Sequence, residues 1–525
     1  MTARPALPCA LAVTALAGCL ALTFTTGGTL GDRTPLYGWY AADAALFATA
    51  LLLLRRVPAR QVTRLVLAGG VLVAATGLLA PPRTSDDAYR YGWDGKVQAA
   101  GVSPYAHTPE DPALTRLRDP GRFPVGDGCA EWDERRTADG ACTRINRPAV
   151  HTVYPPLAEA WFLLQRPFGD GVRVAQAAGA TLAVATTALL LTATGGRRRA
   201  ALWAWCPGVA VWAVNDAHVD TLGALLTVAG LTWAARTRPV SAGAALGAAT
   251  AVKLLPALAL PGALSGVLSR RPSGTAPVRP PAGPPAVAVA DSGAPGPGVS
   301  GRPAGGGLRL LFRSGPWQAV AGPSAVPVAD SGVPDPVASG RSVGGAFRPA
   351  AALALLVAAV GVFVLCYLPY VAASGAGVFG YLPGYLREEG YQQGHLDRFG
   401  LLRLVLPDRF APWVGAALLA VLVWRVLRHG DPGRPWRGAL LVTGGALLLA
   451  APGYPWYGLL VVALVALDGR WEWLAVPAAG QLLYLAGGGR TQQLAYGAAL
   501  LVIVMVSARR AGRWPRPVRA QMTEV

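Results

Sequence analysis

The sequence predicts an all-α membrane protein whose chain crosses the bilayer many times. Only 14% of its 525 residues are charged and 53% are hydrophobic, whereas a soluble domain carries about 25% charged residues. Apolar runs such as 62–80, 172–191 and 494–506 are long enough to cross the hydrocarbon core as single helices. When the apolar runs are followed along the chain with the arginine clusters placed on one side of the membrane, the sequence predicts about 14 transmembrane helices.

Arginines mark one side of the expected membrane. They cluster at the ends of apolar runs, as is typical of the cytoplasmic side of a membrane protein. We therefore expect a multi-pass plasma-membrane protein, in contact with membrane lipids, with both termini in the cytoplasm. These clusters also explain the net charge of +19, so no nucleic-acid partner is expected. They lie at 55–64, 197–199, 236–238, 425–437 and 509–513.

The charge pattern divides the chain into five parts. The first is a transmembrane hairpin, and the second is a core that carries a large extracytoplasmic segment, 81–170. The third is rich in Pro and Gly and contains two copies of one unit, which predicts a disordered cytoplasmic insert. The last two are transmembrane helices with an outer loop, 372–408, and a basic cytoplasmic tail. The bounds of the five parts are 1–61, 62–269, 270–347, 348–508 and 509–525.

Two segments of the core bring polar residues to the outer side. Helices at 200–214 and 217–235 predict a hairpin whose outer tip, 215–220, reads Asn-Asp-Ala-His-Val-Asp. Arginines at both ends of the segment 240–269 place both ends in the cytoplasm, so the segment must cross the membrane an even number of times. The break that allows two crossings is expected at Lys253-Leu254-Leu255-Pro256. Lys253 then faces a polar cavity at an outer tip, or its side chain extends to the membrane interface.

The cysteines fall into two groups. Cys129 and Cys142 lie in the polar segment, where an extracytoplasmic location favours a disulfide over free thiols or a metal site. The other four lie in apolar runs, where packing is the usual role. One of these, Cys19, follows Leu16-Ala17-Gly18 as in a lipoprotein cleavage site, although a first transmembrane helix that contains Cys fits a multi-pass chain better. The four are Cys9, Cys19, Cys206 and Cys366.

The polar segment opens with an acidic pair, Asp86 and Asp87, directly after an apolar helix. Acidic side chains are costly to place next to lipid and usually serve a function there. Asp94 follows Asp87 by roughly two helical turns, so it could share the same helix face and bind a sugar, or lie exposed at the surface. As an alternative to catalysis, Ser85 and Asp86 cap a short helix that runs to about residue 100.

The motifs of the chain resemble the GT-C superfamily of membrane glycosyltransferases. The likeness is greatest to actinobacterial α-1,6-mannosyltransferases that use a polyprenyl-phosphate sugar. It covers most of 62–470 apart from the insert, and the first polar segment is its most specific part. The motifs are Asp86-Asp87, Tyr91, Trp93-Asp94-Gly95, Gly101, Pro104-Tyr105, Tyr154-Pro155-Pro156, Leu202-Trp203-Ala204-Trp205-Cys206-Pro207, the 215–220 tip, Ala251-Val252-Lys253-Leu254-Leu255-Pro256 and Pro455-Trp456-Tyr457.

The resemblance implies a GT-C fold, a polyprenyl-phosphate sugar donor and a lipid-linked glycan acceptor. Its acidic residue in the first outer loop is the expected general base, which corresponds to Asp87 here, with Asp86 as partner or substitute. No cofactor is certain, and a divalent cation stays open because the chain has one acidic pair and no clear second cluster. The residues expected to bind substrate are Tyr91, Asp94, Arg90, Tyr105, Tyr154, His218, Asp220, Lys253, His395 and Arg398, with Arg387 as a further phosphate ligand. As alternatives, Tyr91 belongs to the aromatic belt at the membrane interface, and His218 and Asp220 only satisfy backbone groups.

Two other functions are compatible with a multi-pass chain. A transporter or flippase of lipid-linked sugars should show interrupted helices in two corresponding halves, and the sequence shows one such interruption. A membrane scaffold would leave Asp86 and Asp87 replaceable. A nucleotide-sugar donor is disfavoured, because no Gly-rich phosphate loop follows a strand.

Overall fold

The computed structural model describes residues 6–126, 128–193, 197–269, 349–379, 384 and 398–512. Within these residues six helices are long and apolar enough to cross a membrane, and four further apolar helices are shorter. The structure is therefore that of a largely helical, multi-pass membrane protein, and the count of about 14 spans stays a prediction. The insert 270–347, Arg387, His395 and the tail beyond 512 lie outside the described residues.

Among the described residues, the N-terminal half contains ten α-helices. The first two form the expected hairpin and pack against each other and against the third. The helices are α1 (Leu7–Thr26), α2 (Thr34–Leu54), α3 (Ala59–Thr76), α4 (Asp87–Ala99), α5 (Pro156–Gln165), α6 (Val172–Ala193), α7 (Ala201–Ala204), α8 (Asp220–Ala235), α9 (Pro239–Val252) and α10 (Leu260–Ala263).

The C-terminal half contributes six more helices among the described residues. The six candidate spans found in the described part of the chain are α1, α2, α6, and three helices of this half: α11 with the 3₁₀ turn that extends it to Phe379, α12 and α16. The six are α11 (Pro349–Ser374), α12 (Ala411–His429), α13 (Pro435–Ala450), α14 (Gly458–Asp468), α15 (Ala475–Ala486) and α16 (Gly489–Arg510).

The expected continuous helix at 200–214 is wrong. The chain instead forms a 3₁₀ turn (Arg197–Ala200), the single turn of α7, a break, and a π-helix (Val209–Asn215). Pro207 lies at the break, because proline has no N–H to donate and its ring clashes with the preceding turn. This irregular backbone is buried among other helices, where Trp203 Nε1 donates to the carbonyl of Ala183 at 3.0 Å.

The break expected after α9 is present. Helix α9 ends at Val252, and Lys253 is extended with φ −158° and ψ 144°. A 3₁₀ helix (Leu255–Ala259) and the single turn of α10 follow, each with a proline near its start. The extended residue turns the Lys253 side chain away from the axis of α9, which matters for the site.

The polar segment folds around a small core of its own. Trp93 and Val97 of α4 pack there with Leu114, Phe123 and Ile145. A two-stranded antiparallel ribbon, β1 (Arg135–Arg136) and β2 (Cys142–Thr143), adds a β element that the all-α prediction does not contain. Cys129 and Cys142, the pair predicted from sequence, form a disulfide with Cα atoms 5.4 Å apart. The segment is therefore an ordered cap on one end of the helices.

The helices of the core share two ends. Gln176 near the start of α6 donates to the carbonyls of Ala80 and Asn215, so α3 ends where α6 begins. His218, just before α8, stacks on Trp456, just before α14. The starts of α6, α8 and α14 thus lie together beneath the polar segment. Their other ends, at Ala193, Ala235 and Asp468, form the opposite end of the bundle.

Removal of the disulfide tests its contribution to the cap. We expect Cys129→Ser/Cys142→Ser to lower the free energy of unfolding by about 3 kcal/mol, because the bond closes a loop of about 14 residues in the unfolded chain. The measurement is denaturant unfolding of the purified protein in detergent. Cys366→Ser, at a free and half-buried thiol, is the control. Equal stability of the double variant and this control would contradict the expectation.

Candidate functional site

The acidic pair lies at the start of α4. Asp87 is the first helical residue, and its backbone N–H donates to Ser85 Oγ at 3.3 Å. Asp86 precedes the helix, yet its side chain makes no capping hydrogen bond. The capping alternative therefore applies to Ser85 and not to the Asp86 carboxylate, which is directed elsewhere.

Asp86 points toward the polar segment. Its carboxylate pairs with the Arg135 guanidinium on β1 and accepts a hydrogen bond of 3.0 Å from Asn146 Nδ2. Asn146 also donates to Asp87, so one amide joins both carboxylates. Burial raises the pKa of Asp86 above its usual value, although Arg135 and Asn146 act in the opposite direction. Asp86 is thus an anchor between α4 and the cap.

Asp87 points toward the helical core. Its Oδ2 lies 3.4 Å from His218 Nδ1 and accepts a hydrogen bond of 3.4 Å from the Tyr91 hydroxyl. The Tyr91 hydroxyl also lies 3.5 Å from His218 Nδ1, so the three groups form a closed set. The imidazole stacks on Trp456 with ring centroids 4.0 Å apart. Its Nε2 is buried and has no hydrogen-bond partner within the described part of the chain.

Electrostatics keep Asp87 ionised. Burial acts to raise its pKa, but the hydrogen bond and charge of His218, the charge of Lys253 and the Asn146 hydrogen bond together outweigh burial. The pKa of Asp87 therefore falls well below its usual range. The neighbouring carboxylates thus differ in environment: Asp87 faces cationic groups of the core, and Asp86 is buried against the cap.

Lys253 and Asp220 form the second charged pair of the site. Lys253 Nζ lies 2.6 Å from Asp220 Oδ2 and 4.8 Å from the centroid of the Tyr457 ring. The Asp220 side chain is 6% exposed and that of Lys253 18%. Because the ammonium retains some access to solvent, it can accept an anionic ligand while Asp220 holds it in place.

The tip at 215–220 is buried beneath the chain that leads into the polar segment. Asn215 Nδ2 donates to the carbonyls of Gly77, Ala80 and Pro81 at 3.0–3.1 Å. Asp216 accepts from the backbone N–H groups of Arg83 and Thr84. The chain that leads from α3 into the polar segment therefore lies over the tip and covers it.

The turn within this tip has a strained residue. Ala217 has φ 55°, a left-handed conformation that a non-glycine residue adopts at a cost. It lies directly before His218, between the end of the π-helix and the start of α8. Strain of this kind persists where the surroundings fix the backbone, here through the hydrogen bonds of Asn215 and Asp216.

An aromatic cluster sets the spacing of the site. The Tyr91 ring stacks on Phe162 at 4.5 Å and meets Tyr154 edge-on at 5.0 Å. The Tyr105 hydroxyl donates to the Tyr154 carbonyl at 2.6 Å. Contacts within the protein therefore explain the positions of Tyr105 and Tyr154, while the Tyr91 hydroxyl reaches Asp87. Val219 and Val252, the neighbours of His218 and Lys253, complete this cluster.

Arg90 and Asp94 pair with each other inside the cap. Arg90 Nε contacts both carboxylate oxygens of Asp94 at 2.9 Å, and Arg90 Nη1 donates to the Val150 carbonyl at 3.0 Å. Asp94 is 1% exposed, so of the two alternatives given for it, exposure at the surface is wrong. Their partners direct both side chains away from the Asp87 cluster, because neither makes a contact with it among those described.

Glu159 lies behind this ion pair and is fully buried. It accepts hydrogen bonds from Thr152 Oγ1 at 2.6 Å and from Gln98 Nε2 at 2.8 Å. Burial and the negative charge of Asp94 raise the pKa of Glu159 well above its usual range. Burial therefore favours the neutral acid form of Glu159, which joins α5 to α4 by hydrogen bonds.

Arg398 approaches the site through aromatic rings. Its guanidinium lies 5.6 Å from the centroid of the Tyr454 ring, which is 5.1 Å from that of Trp456, the ring that supports His218. Arg398, one of the outer-loop residues expected to bind substrate, thus lies at the border of the site. His395 lies outside the described residues.

No set of three His, Cys, Asp or Glu side chains converges as a metal ion would require, within the residues that the structure describes. The groups that contact the Asp87 carboxylate are instead one imidazole, one phenol and one amide, and the Lys253 ammonium acts on it through its charge. This set can accept a proton and can hold an anion.

Sequence reasoning did not identify Arg135 and Asn146 as site residues. Both lie in the irregular part of the polar segment and reach the acidic pair from 49 to 60 residues away in sequence. Glu159 was also missed, although an acidic residue in the first turn of the apolar α5 is a recognisable signal. Arg135 and Asn146 carry no local signal, because their contacts arise from the fold of the cap.

The protonation of Glu159 predicts a pH dependence of stability. Because its pKa is raised in the folded state, unfolding becomes more favourable as pH rises above the usual glutamate pKa of about 4.3. Glu159→Gln mimics the neutral acid and lacks this loss, so its melting temperature should exceed that of the parent protein by an increasing margin as pH rises above about 4.3. Glu131→Gln, at an exposed position, is the control. Parallel melting curves for Glu159→Gln and the parent protein would contradict the assignment.

Comparison with known proteins gives one match. The model of Glycosyltransferase family 87 matches residues 152–277, about a quarter of the chain. The matched stretch begins two residues before Tyr154 and includes His218, Asp220 and Lys253, whereas the acidic pair precedes it. Neither a curated protein nor a solved structure matches the chain. The match, together with the apolar helices, supports a membrane glycosyltransferase of the GT-C type.

Proposed function

We propose that this protein transfers a hexose, mannose by resemblance, from a polyprenyl-phosphate donor to a lipid-linked glycan acceptor on the outer face of the plasma membrane. The observation that carries the proposal is the position of Asp87. Its carboxylate meets His218, with Lys253 nearby, at one end of the helical core. The family match spans the segment that supplies both of these cationic partners.

Asp87 acts as the general base. The acceptor hydroxyl oxygen attacks the anomeric carbon of the donor sugar, and the bond between that carbon and the phosphate oxygen breaks. Polyprenyl phosphate leaves with the bond's electron pair, and the hydroxyl proton passes to Asp87. An ionised carboxylate is the form that can take this proton, and the low pKa of Asp87 favours that form.

Lys253 and His218 bind the donor phosphate. Lys253 is partly exposed and is held by Asp220, while His218 presents a buried Nε2 that has no partner among the described residues. A cationic group beside the phosphate stabilises the negative charge that the leaving group gains. Lys253 Nζ and His218 Nε2 can therefore both face the departing phosphate.

Donor binding also adjusts the strength of the base. In the free protein the charges of His218 and Lys253 depress the pKa of Asp87. A bound phosphate would share these cations and add negative charge nearby, so the pKa of Asp87 would rise. A carboxylate with a higher pKa is a stronger base. Asp87 would thus become more basic only when the donor is in place.

Asp86 positions Asp87 and does not take the proton. Its carboxylate is engaged by Arg135 and Asn146, and its side chain faces the cap. Asn146 links the two carboxylates, so displacement of Asp86 would shift Asp87. Arg398, at the border of the site, would assist donor binding.

The location of the site supports a lipid-linked donor. The acidic pair follows α3 by ten residues, and the groups that face Asp87 come from the ends of apolar helices. A carboxylate at this boundary can reach both a lipid donor and a lipid-borne acceptor. The arginine clusters at the other helix ends support an outer location for Asp87.

Substitution of the acidic pair tests this function. We expect Asp87→Asn to reduce transfer of radiolabelled mannose from polyprenyl-phosphate mannose by about 10²–10⁴-fold, because a positioned general base contributes that much. Asp86→Asn should retain most of the transfer. Asp111→Asn, at a partly exposed acid of the same segment, is the matched control. The assay uses membranes with verified expression and a lipid acceptor.

Two outcomes would contradict the proposal. Undiminished transfer in Asp87→Asn would remove the role of base from this residue. Movement of the intact lipid-linked sugar across the membrane, without transfer in the parent protein, would indicate a flippase instead.

A further inference from the structure

The end of the bundle opposite Asp87 has a charged cluster of its own. Helix α14 begins beside Trp456, the ring that stacks on His218, and ends at Asp468. Four arginines from three different segments lie within electrostatic range of the Asp468 carboxylate. We name this cluster the arginine basin; its members are Arg199, Arg434, Arg437 and Arg470, around Asp468.

The basin has more positive charge than its acids can balance. Glu472 pairs with Arg470 at 3.1 Å and with Arg510 at 3.0 Å, which accounts for both arginines. Asp468 then remains as the nearby carboxylate for Arg199, Arg434 and Arg437. None of these three forms an ion pair within 4.0 Å in the described part of the chain. Their guanidinium groups are therefore available to a ligand.

The backbone allows these side chains to converge. Gly469 follows Asp468 with φ 83°, a conformation that favours glycine. A Cβ atom at this position would come within 2.7 Å of Arg199 Nε. The glycine thus lets Arg199 lie directly against the end of α14. Arg434 and Arg437, at the start of α13, are exposed, and their charges act on the Asp468 carboxylate.

We propose that the arginine basin binds the phosphate headgroup of an anionic phospholipid. Guanidinium groups suit phosphate because their fixed donors can form paired hydrogen bonds with its oxygens. Trp471, 48% exposed at the same end, has the position of an aromatic residue at the lipid headgroup level. Basic pockets between helix ends are a recognised way to hold such headgroups. The site is separate from the proposed glycosyl-transfer site.

Lipid titration of the purified protein tests the proposal. Arg199→Gln/Arg434→Gln/Arg437→Gln removes the unpaired charges of the basin. The control, Arg56→Gln/Arg64→Gln/Arg236→Gln, removes three exposed arginines that do not act on Asp468. Both variants lose three positive charges, so any general effect of positive charge on membrane insertion is the same in both. Native mass spectrometry then measures retention of phosphatidylglycerol against phosphatidylcholine in detergent micelles.

We expect the parent protein and the control to retain phosphatidylglycerol preferentially. The basin variant should bind it on the order of a hundredfold more weakly, because each of the three arginines near an anionic surface contributes about fivefold. Arg434→Gln alone, at an exposed position, provides a milder variant whose folding is not at risk. It should show a partial loss.

Three results would overturn the proposal. One is equal retention of phosphatidylglycerol by the basin variant and the control, which would assign the arginines to membrane orientation alone. A second is the lack of any preference for phosphatidylglycerol over phosphatidylcholine. The third is displacement of bound phosphatidylglycerol by millimolar inorganic phosphate with retention of the phosphate ion, which would indicate a free-phosphate site.

Discussion

The hydrogen bonds of Asn215 and Asp216 hold the two halves of the candidate site together. These side chains bind backbone groups between Gly77 and Thr84, where the chain leaves α3 for the polar segment. A polar backbone in a water-poor interior must be paired, and these side chains pair it. Replacement of either would leave buried backbone groups without partners, at a cost of about 1–3 kcal/mol each. His218 is two residues from Asp216, so its approach to Asp87 depends on this junction.

The same junction gives two neighbouring carboxylates different environments. Asp87 faces the imidazole and ammonium groups of the core, while Asp86 faces an arginine and an amide of the cap. A buried carboxylate is tolerated when charged or hydrogen-bonding partners compensate for the water it has lost. Each acid has partners of its own, and Asn146 fixes the distance between them. One residue can thus serve as a base while the other holds it in position.

Much of the architecture could be predicted from the sequence, because membrane helices and charge asymmetry are local signals. Composition predicts the helical membrane class, and proline spacing predicts the break at Lys253. The acidic pair, the tip at 215–220 and Lys253 could each be identified as separate motifs. Their convergence could not, since it depends on contacts across more than 100 residues. The same holds for Asn146, and for the burial of Asp94 by Arg90, which a helix-face argument assigned equally to the surface.

Irregular backbone is the other feature of the fold that the sequence did not predict. Hydropathy averages over a window, so a segment of 15 apolar residues reads as one helix. The chain from Arg197 to Asn215 instead changes from 3₁₀ to α to π geometry and ends in a buried turn. Such backbone is tolerated at membrane depth when protein surrounds it. This irregular backbone lies directly before His218 and therefore helps to place that side chain in the site.

The most direct test of the central claim is a double-mutant cycle between Asp87 and His218. Transfer rates would be measured for Asp87→Asn, His218→Gln and the double variant, each with verified expression. If the two side chains act as one unit on the donor and acceptor, the double variant will be no slower than Asp87→Asn by more than a small factor. Losses that multiply in the double variant would contradict the account, because they would show that the two groups act independently.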